Sequence, residues 1–158
     1  MIMFLTGTPG IGKTTVASAI AEQRSDVTIL CGDNIRAEIG ASTTTNPVVE
    51  DALNWRLFTG AAIALRKDPA SLVIIDTNGI SKRLPFLRYA LGEYRQHIVR
   101  LNAAFPFNLC IKKWGQAYSQ GKFDHIAAKV ACIEADFDIQ IDGKTPQVIA
   151  SEILALIQ

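Results

Sequence analysis

Residues Gly7 to Thr14 read G-T-P-G-I-G-K-T, a complete G-x-x-x-x-G-K-[ST] phosphate-binding pattern. The apolar run Ile2 to Leu5 leads into it and a helix-like stretch follows, so the pattern sits in the strand-loop-helix context that its chemistry needs. Gly7, Gly10 and Gly12 let the chain wrap closely around phosphate oxygens, with backbone N–H groups converging at a helix N-terminus. The expected nucleotide-binding segment is therefore Gly7, Thr8, Pro9, Gly10, Ile11, Gly12, Lys13, Thr14 and Thr15. Within it, Lys13 is placed to reach the β- and γ-phosphates, and Thr14 to give its hydroxyl to Mg²⁺. A loop of this kind commits the chain to an α/β fold with a parallel sheet.

The rest of the sequence has that rhythm. Strands are expected at Ile2 to Thr6, Val27 to Cys31, Leu72 to Ile75, His97 to Leu101 and Asp138 to Ile141. Helices are expected at Lys13 to Gln23, Asn34 to Ile39, Val48 to Lys67, Lys82 to Tyr94, Pro106 to Tyr118, Asp124 to Ala135 and Pro146 to Ile157. Gly40 to Pro47 reads as a mobile loop, Thr77 to Gly79 as a turn, and Ser119 to Lys122 as a linker between two helices. Five strands joined by helices give a three-layer α/β/α sandwich with a five-stranded parallel sheet, because right-handed crossovers put helices on both faces. The 158 residues have room for a single domain.

Ligands in such folds sit at the carboxyl ends of the strands, and three of those ends carry polar chemistry. The phosphate loop follows the first strand, Asp33 the second, and Asp76 the third. Asp33 and Arg36 form D-x-x-R, which points both side chains into one region. Asp33 can take the proton of an attacking hydroxyl, and Arg36 can hold a phosphate with its forked donors; the plainer reading is a helix cap and a solvated arginine. Asp76 ends V-I-I-D and suits a contact to Mg²⁺, with helix capping as the rival. Asn78 is a turn residue or an acceptor contact.

Charge and cysteines narrow the class further. Sixteen basic and fifteen acidic side chains give a net charge of +1, too balanced to announce nucleic-acid binding. Yet Lys82 to Lys122 holds eight Lys or Arg against Glu93 alone, which reads as a solvated face or an anion site. Cys31, Cys110 and Cys132 are widely spaced in apolar segments, as buried thiols in a reducing cytoplasm would be. His97 and His125 stand alone and show no metal-ligand spacing. The first apolar run enters the phosphate loop without a basic region before it, which argues against a signal peptide, and no uncharged stretch has membrane-spanning length.

The order G-x-x-x-x-G-K-T, then D-x-x-R, then I-I-D-T-N followed five residues later by Arg83, resembles the small P-loop kinases related to the kinase domain of phage polynucleotide kinase. Zeta-toxin-like and antibiotic phosphotransferases are similar in outline. The resemblance implies a nucleoside-monophosphate-kinase-like P-loop fold, with Lys13 and Thr14 on ATP and Mg²⁺ and Asp33 as the base for a hydroxyl acceptor. It also places Arg36 near the acceptor or γ-phosphate, with Asp76, Asn78 and Arg83 completing the substrate side. Kinases of this kind close a helical lid carrying arginines. The corresponding stretch here, about 108–135, has Lys112, Lys113, Lys122 and Lys129 but no arginine. Trp114 in the same stretch reads as core or as a stacking partner for adenine, and Trp55 and Phe58 as core or an acceptor wall.

The expectation is thus a cytoplasmic, Mg²⁺-dependent ATP:hydroxyl phosphotransferase. Its acceptor would be a polynucleotide 5′-hydroxyl or a nucleotide-like molecule, and a homo-oligomer remains open. A small-molecule kinase acting on a sugar, a shikimate-like acid or an antibiotic is the first alternative. A nucleotide-dependent switch or ATPase is the second, although Asp33 with Arg36 argues for a transfer site.

Overall fold

The computed structural model describes residues 1–40, 46–76, 80–116 and 118–158. The expected turn at Thr77 to Gly79, with Asn78, lies outside the described residues, as does 41–45 of the expected loop. Five strands form one parallel sheet in the order β2-β3-β1-β4-β5: β1 (Ile2–Gly7), β2 (Val27–Cys31), β3 (Leu72–Asp76), β4 (Gln96–Asn102) and β5 (Phe137–Gln140). Among the described residues, six helices connect them and a seventh follows the last strand: α1 (Lys13–Gln23), α2 (Gly32–Glu38), α3 (Pro47–Lys67), α4 (Ile80–Ala90), α5 (Pro106–Trp114), α6 (Gln120–Ala131) and α7 (Pro146–Leu156).

Strand β1 is buried along its whole length, and its alternate side chains build two separate cores. Met3 and Leu5 face one side, where Val16 and Ile20 of α1 and Ile149 and Ile153 of α7 cover them. Ile2 and Phe4 face the other, beneath Leu53, Leu57, Ala61 and Leu65 of α3 and Leu87 of α4. The four-residue spacing of the α3 set keeps it on one stripe, and each fully buried leucine there contributes about 1.5–3 kcal/mol. Asn46 starts α3 by accepting a hydrogen bond from the Val48 amide at 2.9 Å, with Pro47 as the first helical residue.

Register decides which loops meet. Leu5 of β1 and Cys31 of β2 both lie level with Asp76 of β3, so the phosphate loop, the start of α2 and the end of β3 emerge together at one edge.

Four helices differ from the sequence expectation by two or more residues at one end or both, α6 among them in ending at Ala131 instead of Ala135. Helix α2 begins at Gly32, which puts Asp33 inside the first turn. Helix α4 runs from Ile80 to Ala90 instead of Lys82 to Tyr94. Helix α5 stops at Trp114, four residues early, because Gly115 turns the chain out at φ 80, ψ 171. Helix α6 starts at Gln120 instead of Asp124, because the Ser119 hydroxyl caps it by accepting from the Lys122 amide; the supposed linker is the cap and first turn.

Candidate active site

The phosphate loop folds as its glycines require. Gly10 (φ 78) and Gly12 (φ 98) take left-handed conformations that other residues rarely adopt. Gly10 has a second reason: a Cβ there would lie 2.6 Å from the Cys110 Cα, so the backbone of α5 rests directly on the loop. Around a Cβ on Gly12, by contrast, nothing lies within 4 Å, leaving room for an incoming phosphate beside the start of α1. The Thr8 hydroxyl oxygen is buried with no hydrogen-bond partner among the described residues, as fits a side chain lining a ligand cradle.

Lys13 is buried, and its Nζ donates to the carbonyl oxygens of Gly7 and Thr8, both at 3.3 Å. Burial pushes its ammonium below the usual lysine range, while Asp76 and Asp33 act in the opposite direction. Thr14 donates its hydroxyl to Asp76 Oδ2 at 2.6 Å. A hydroxyl and a carboxylate held this close form a hard-oxygen pair suited to Mg²⁺, which takes one or two protein oxygens and fills its other positions from phosphate and water. Asp76 is thereby tied through its carboxylate to the residue that follows Lys13 in the loop. Among the described residues, no group of three or more His, Cys, Asp and Glu could hold a metal by itself.

Beside the loop lies a cavity of about 450 Å³. One wall is Asp33, Arg36 and Ala37 of α2, and Pro9 of the phosphate loop forms the floor. The opposite wall comes from Trp114 at the end of α5, Tyr118, and Lys122 and Ile126 of α6, all within the stretch expected to form a lid. The D-x-x-R pair thus shares one cavity with Trp114, Tyr118, Lys122 and Ile126, and Pro9 of the loop touches the same space. The N-cap position of α2 falls to Cys31, so Asp33 is not the cap.

The lid lysines divide. Lys122 reaches the cavity and lies over the Tyr118 ring at 5.2 Å. Lys113 lies over the Trp114 ring at 5.0 Å, and its charge adds to the lowering of the Lys13 ammonium. Lys112 is exposed and outside the cavity wall. Arg83 does not line the cavity either. It is 2% exposed and ion-paired with Glu50 of α3, whose other oxygen pairs with Arg36. Sequence reading missed Glu50, because a lone acid after Pro47, Val48 and Val49 in the first turn of a helix carries no motif.

Several plainer expectations are corrected. Trp114 is half exposed on the cavity wall and is not core. Trp55 is 56% exposed and so is not core, whereas Phe58, which it meets edge-on together with Phe86, packs against the core as expected; the cavity beside the loop is lined by neither. Cys31 and Cys110 are buried, but Cys132 is exposed, because it sits at the C-cap of α6 where the chain turns outward. Within the basic run, Arg83 is ion-paired with Glu50 and Arg100 with Asp138, and Arg95 donates to the Gln158 carbonyl oxygen.

The model of the family described as Adenylylsulphate kinase matches residues 1–75, which hold the phosphate loop, D-x-x-R, Glu50 and the start of β3. No curated protein matches the chain. Among solved structures, the chain is similar to the Mycobacterium tuberculosis APS kinase CysC, solved in complex with AMPPNP and APS. That likeness has a TM-score of 0.75 at 19% identity, over 99% of this chain and 96% of that one. The fold is that of the P-loop kinases. The Deinococcus radiodurans tunicamycin resistance protein is similar over 99% of this chain and 94% of that one, at TM-score 0.69 and 18% identity. A chain of the Pnkp1/Rnl/Hen1 RNA repair complex is similar over 82% of this chain and 43% of that one, at TM-score 0.65 and 18% identity. No helix among the described residues is long and apolar enough to cross a membrane.

Proposed function

We propose that this chain is a Mg²⁺-dependent phosphotransferase that moves the γ-phosphoryl group of ATP to a hydroxyl on an anionic, nucleotide-like acceptor. The cavity carries the reading. It brings a carboxylate, a guanidinium, an ammonium and two aromatic rings around a space that opens on the phosphate loop. In this reading the acceptor's anion lies between Arg36 and Lys122, and its flat part against Trp114 and Tyr118. The match of the first 75 residues to the adenylylsulphate kinase model supports a nucleotide-like acceptor over a sugar.

The chemistry is economical. The acceptor hydroxyl oxygen forms a bond to the γ-phosphorus as the bond to the β-γ bridging oxygen breaks and ADP leaves, and Asp33 takes the hydroxyl proton. Lys13 and the loop amides hold the β- and γ-phosphates, and Lys113 adds charge from the lid where relatives by resemblance use arginine. Thr14 and Asp76 would hold Mg²⁺, which supplies charge neutralisation on the phosphates. The catalytic advantage is positioning and electrostatics in a partly closed site. Free thiols at Cys31, Cys110 and Cys132 suit the cytoplasm.

The test is incubation with γ-labelled ATP and a panel of hydroxyl acceptors: nucleosides, nucleoside monophosphates, 5′-hydroxyl DNA and RNA oligonucleotides, sugars and aminoglycosides. Label should pass to a nucleotide-like member. If the acceptor is a polynucleotide end, its affinity falls with salt at a log–log slope of roughly −0.7 per phosphate contacted on a single strand. Label on sugars or aminoglycosides alone would overturn the acceptor class, and phosphate release with no labelled acceptor would overturn the transferase.

A further inference from the structure

The Arg36–Glu50–Arg83 triad joins three helices behind the cavity. Glu50, in the first turn of α3, gives one carboxylate oxygen to Arg36 Nη2 of α2 and the other to Arg83 Nη2 of α4. The three side chains are unequally sheltered: 18% of Arg36, 26% of Glu50 and 3% of Arg83 is exposed. Arg36 lines the cavity, whereas Glu50 and Arg83 stand behind it.

We infer that Glu50 is a positioning residue: it locks Arg36 against the buried Arg83 so that the remaining Arg36 donors meet the acceptor's anion in a fixed orientation. The inference rests on the proposed acceptor reading and adds the residue that shapes its anion subsite. A guanidinium has five N–H donors, and Glu50 occupies one nitrogen of each arginine, so Arg36 keeps donors for a ligand. Two guanidiniums side by side repel, and Arg83 has lost most of its hydration. Burial lowers its affinity for a proton, Arg36 lowers it further, and the Glu50 charge, with a smaller contribution from Asp33, acts in the opposite direction. Without the shared carboxylate, Arg36 would be driven from Arg83 and lose its aim.

Two effects then compete. Removing the Glu50 charge makes the site more cationic and should favour anions, but solvent reaching the open cavity screens that gain to a few-fold. Losing an aligned, charge-assisted hydrogen bond from Arg36 costs more, about 10-fold in affinity or greater. Positioning should win.

The test uses the protein saturated with Mg²⁺ and a non-hydrolysable ATP analogue, titrated calorimetrically with adenosine 5′-monophosphate and, separately, with uncharged adenosine. The wild type should prefer the monophosphate. Glu50→Gln should weaken monophosphate binding about 10-fold and leave adenosine and the ATP analogue within about twofold. The double variant Glu50→Gln/Arg83→Met removes the buried charge together with its counter-ion, which guards against a single variant that fails to fold. It should bind the monophosphate as weakly as Glu50→Gln; recovery to wild-type affinity would show that Glu50 only neutralises Arg83 and would overturn the inference. Tighter monophosphate binding by Glu50→Gln would also overturn it, making Glu50 an internal competitor. A wild type that does not distinguish the two probes overturns the anionic-acceptor reading and this inference with it. A wild type that does distinguish them, matched by both variants, overturns the inference alone.

Discussion

Thr14 and Asp76 lie 62 positions apart in sequence and 2.6 Å apart in the structure, hydroxyl to carboxylate. The pairing follows from register: Asp76 ends β3 level with Leu5, and the loop that begins two residues after Leu5 returns to start α1 beside it. If the pair holds Mg²⁺, Thr14→Ala and Asp76→Asn should each raise the Mg²⁺ needed for half-maximal turnover by about 10-fold or more, and Thr14→Ser should not. Titrating Mg²⁺ at fixed ATP reads this directly. Unchanged Mg²⁺ dependence in both variants would make the hydrogen bond structural only.

The two inner glycines of the phosphate loop should respond differently to alanine. At Gly10 the new Cβ meets the α5 backbone at Cys110, 2.6 Å away, in addition to its left-handed φ. At Gly12 only the φ penalty applies, about 1–2 kcal/mol. Gly10→Ala should therefore lose about 1–3 kcal/mol more stability than Gly12→Ala, since α5 must shift as a unit. Urea unfolding midpoints give the order, and equal losses would mean that the lid helix rests on the loop less firmly than the geometry indicates.

Catalytic assignment turns on Asp33. It shares the cavity with Arg36 and lies close enough to Lys13 to raise its proton affinity. Asp33→Asn keeps the shape and removes the basic oxygen, so transfer should fall about 10²- to 10⁴-fold while ATP affinity changes little. Calorimetry of ATP binding to the variant separates the roles: a parallel collapse in affinity would move Asp33 to the nucleotide.

Much of this site could be read before any coordinates, for a physical reason. The phosphate loop is a local object whose eight residues hold both its geometry and its ligands, so sequence spacing alone locates Lys13 and Thr14. Asp33 and Asp76 were legible because parallel strands deliver their carboxyl ends to one edge. What escaped was set by side-chain packing between distant helices. Nothing near Glu50 announces that it will bridge Arg36 and Arg83, and nothing in Trp114 says that Gly115 will end α5 and leave the ring on a cavity wall. Within the basic run, the pairing of Arg83 and Arg100 was illegible for the same reason, because their partners lie 33 and 38 positions away.

The root of the lid offers the last prediction. Arg100 of β4 and Asp138 of β5 are direct ladder partners, joined by two hydrogen bonds of 2.6 and 2.9 Å. The third guanidinium nitrogen, Nη1, donates to the carbonyl oxygens of Val130, Ala131 and Ile133 at 3.3, 3.4 and 3.0 Å, so this pair caps the end of α6. The Arg100 hydrogen bonds, helped by Asn102, hold the Asp138 carboxyl below the usual aspartate range. A carboxylate depressed in the folded state stabilises the fold above its ordinary pKa of about 3.9 and loses that contribution as pH falls through the folded value. Asp138 is 49% exposed, so Asp138→Asn should cost no more than about 1 kcal/mol at pH 7. The gap from wild type should stay constant down to about pH 4 and close below it. Denaturant midpoints for both proteins across that range decide the matter. A gap that widens on acidification has the wrong sign for a depressed carboxyl and would remove the Arg100–Asp138 pair as the anchor of α6.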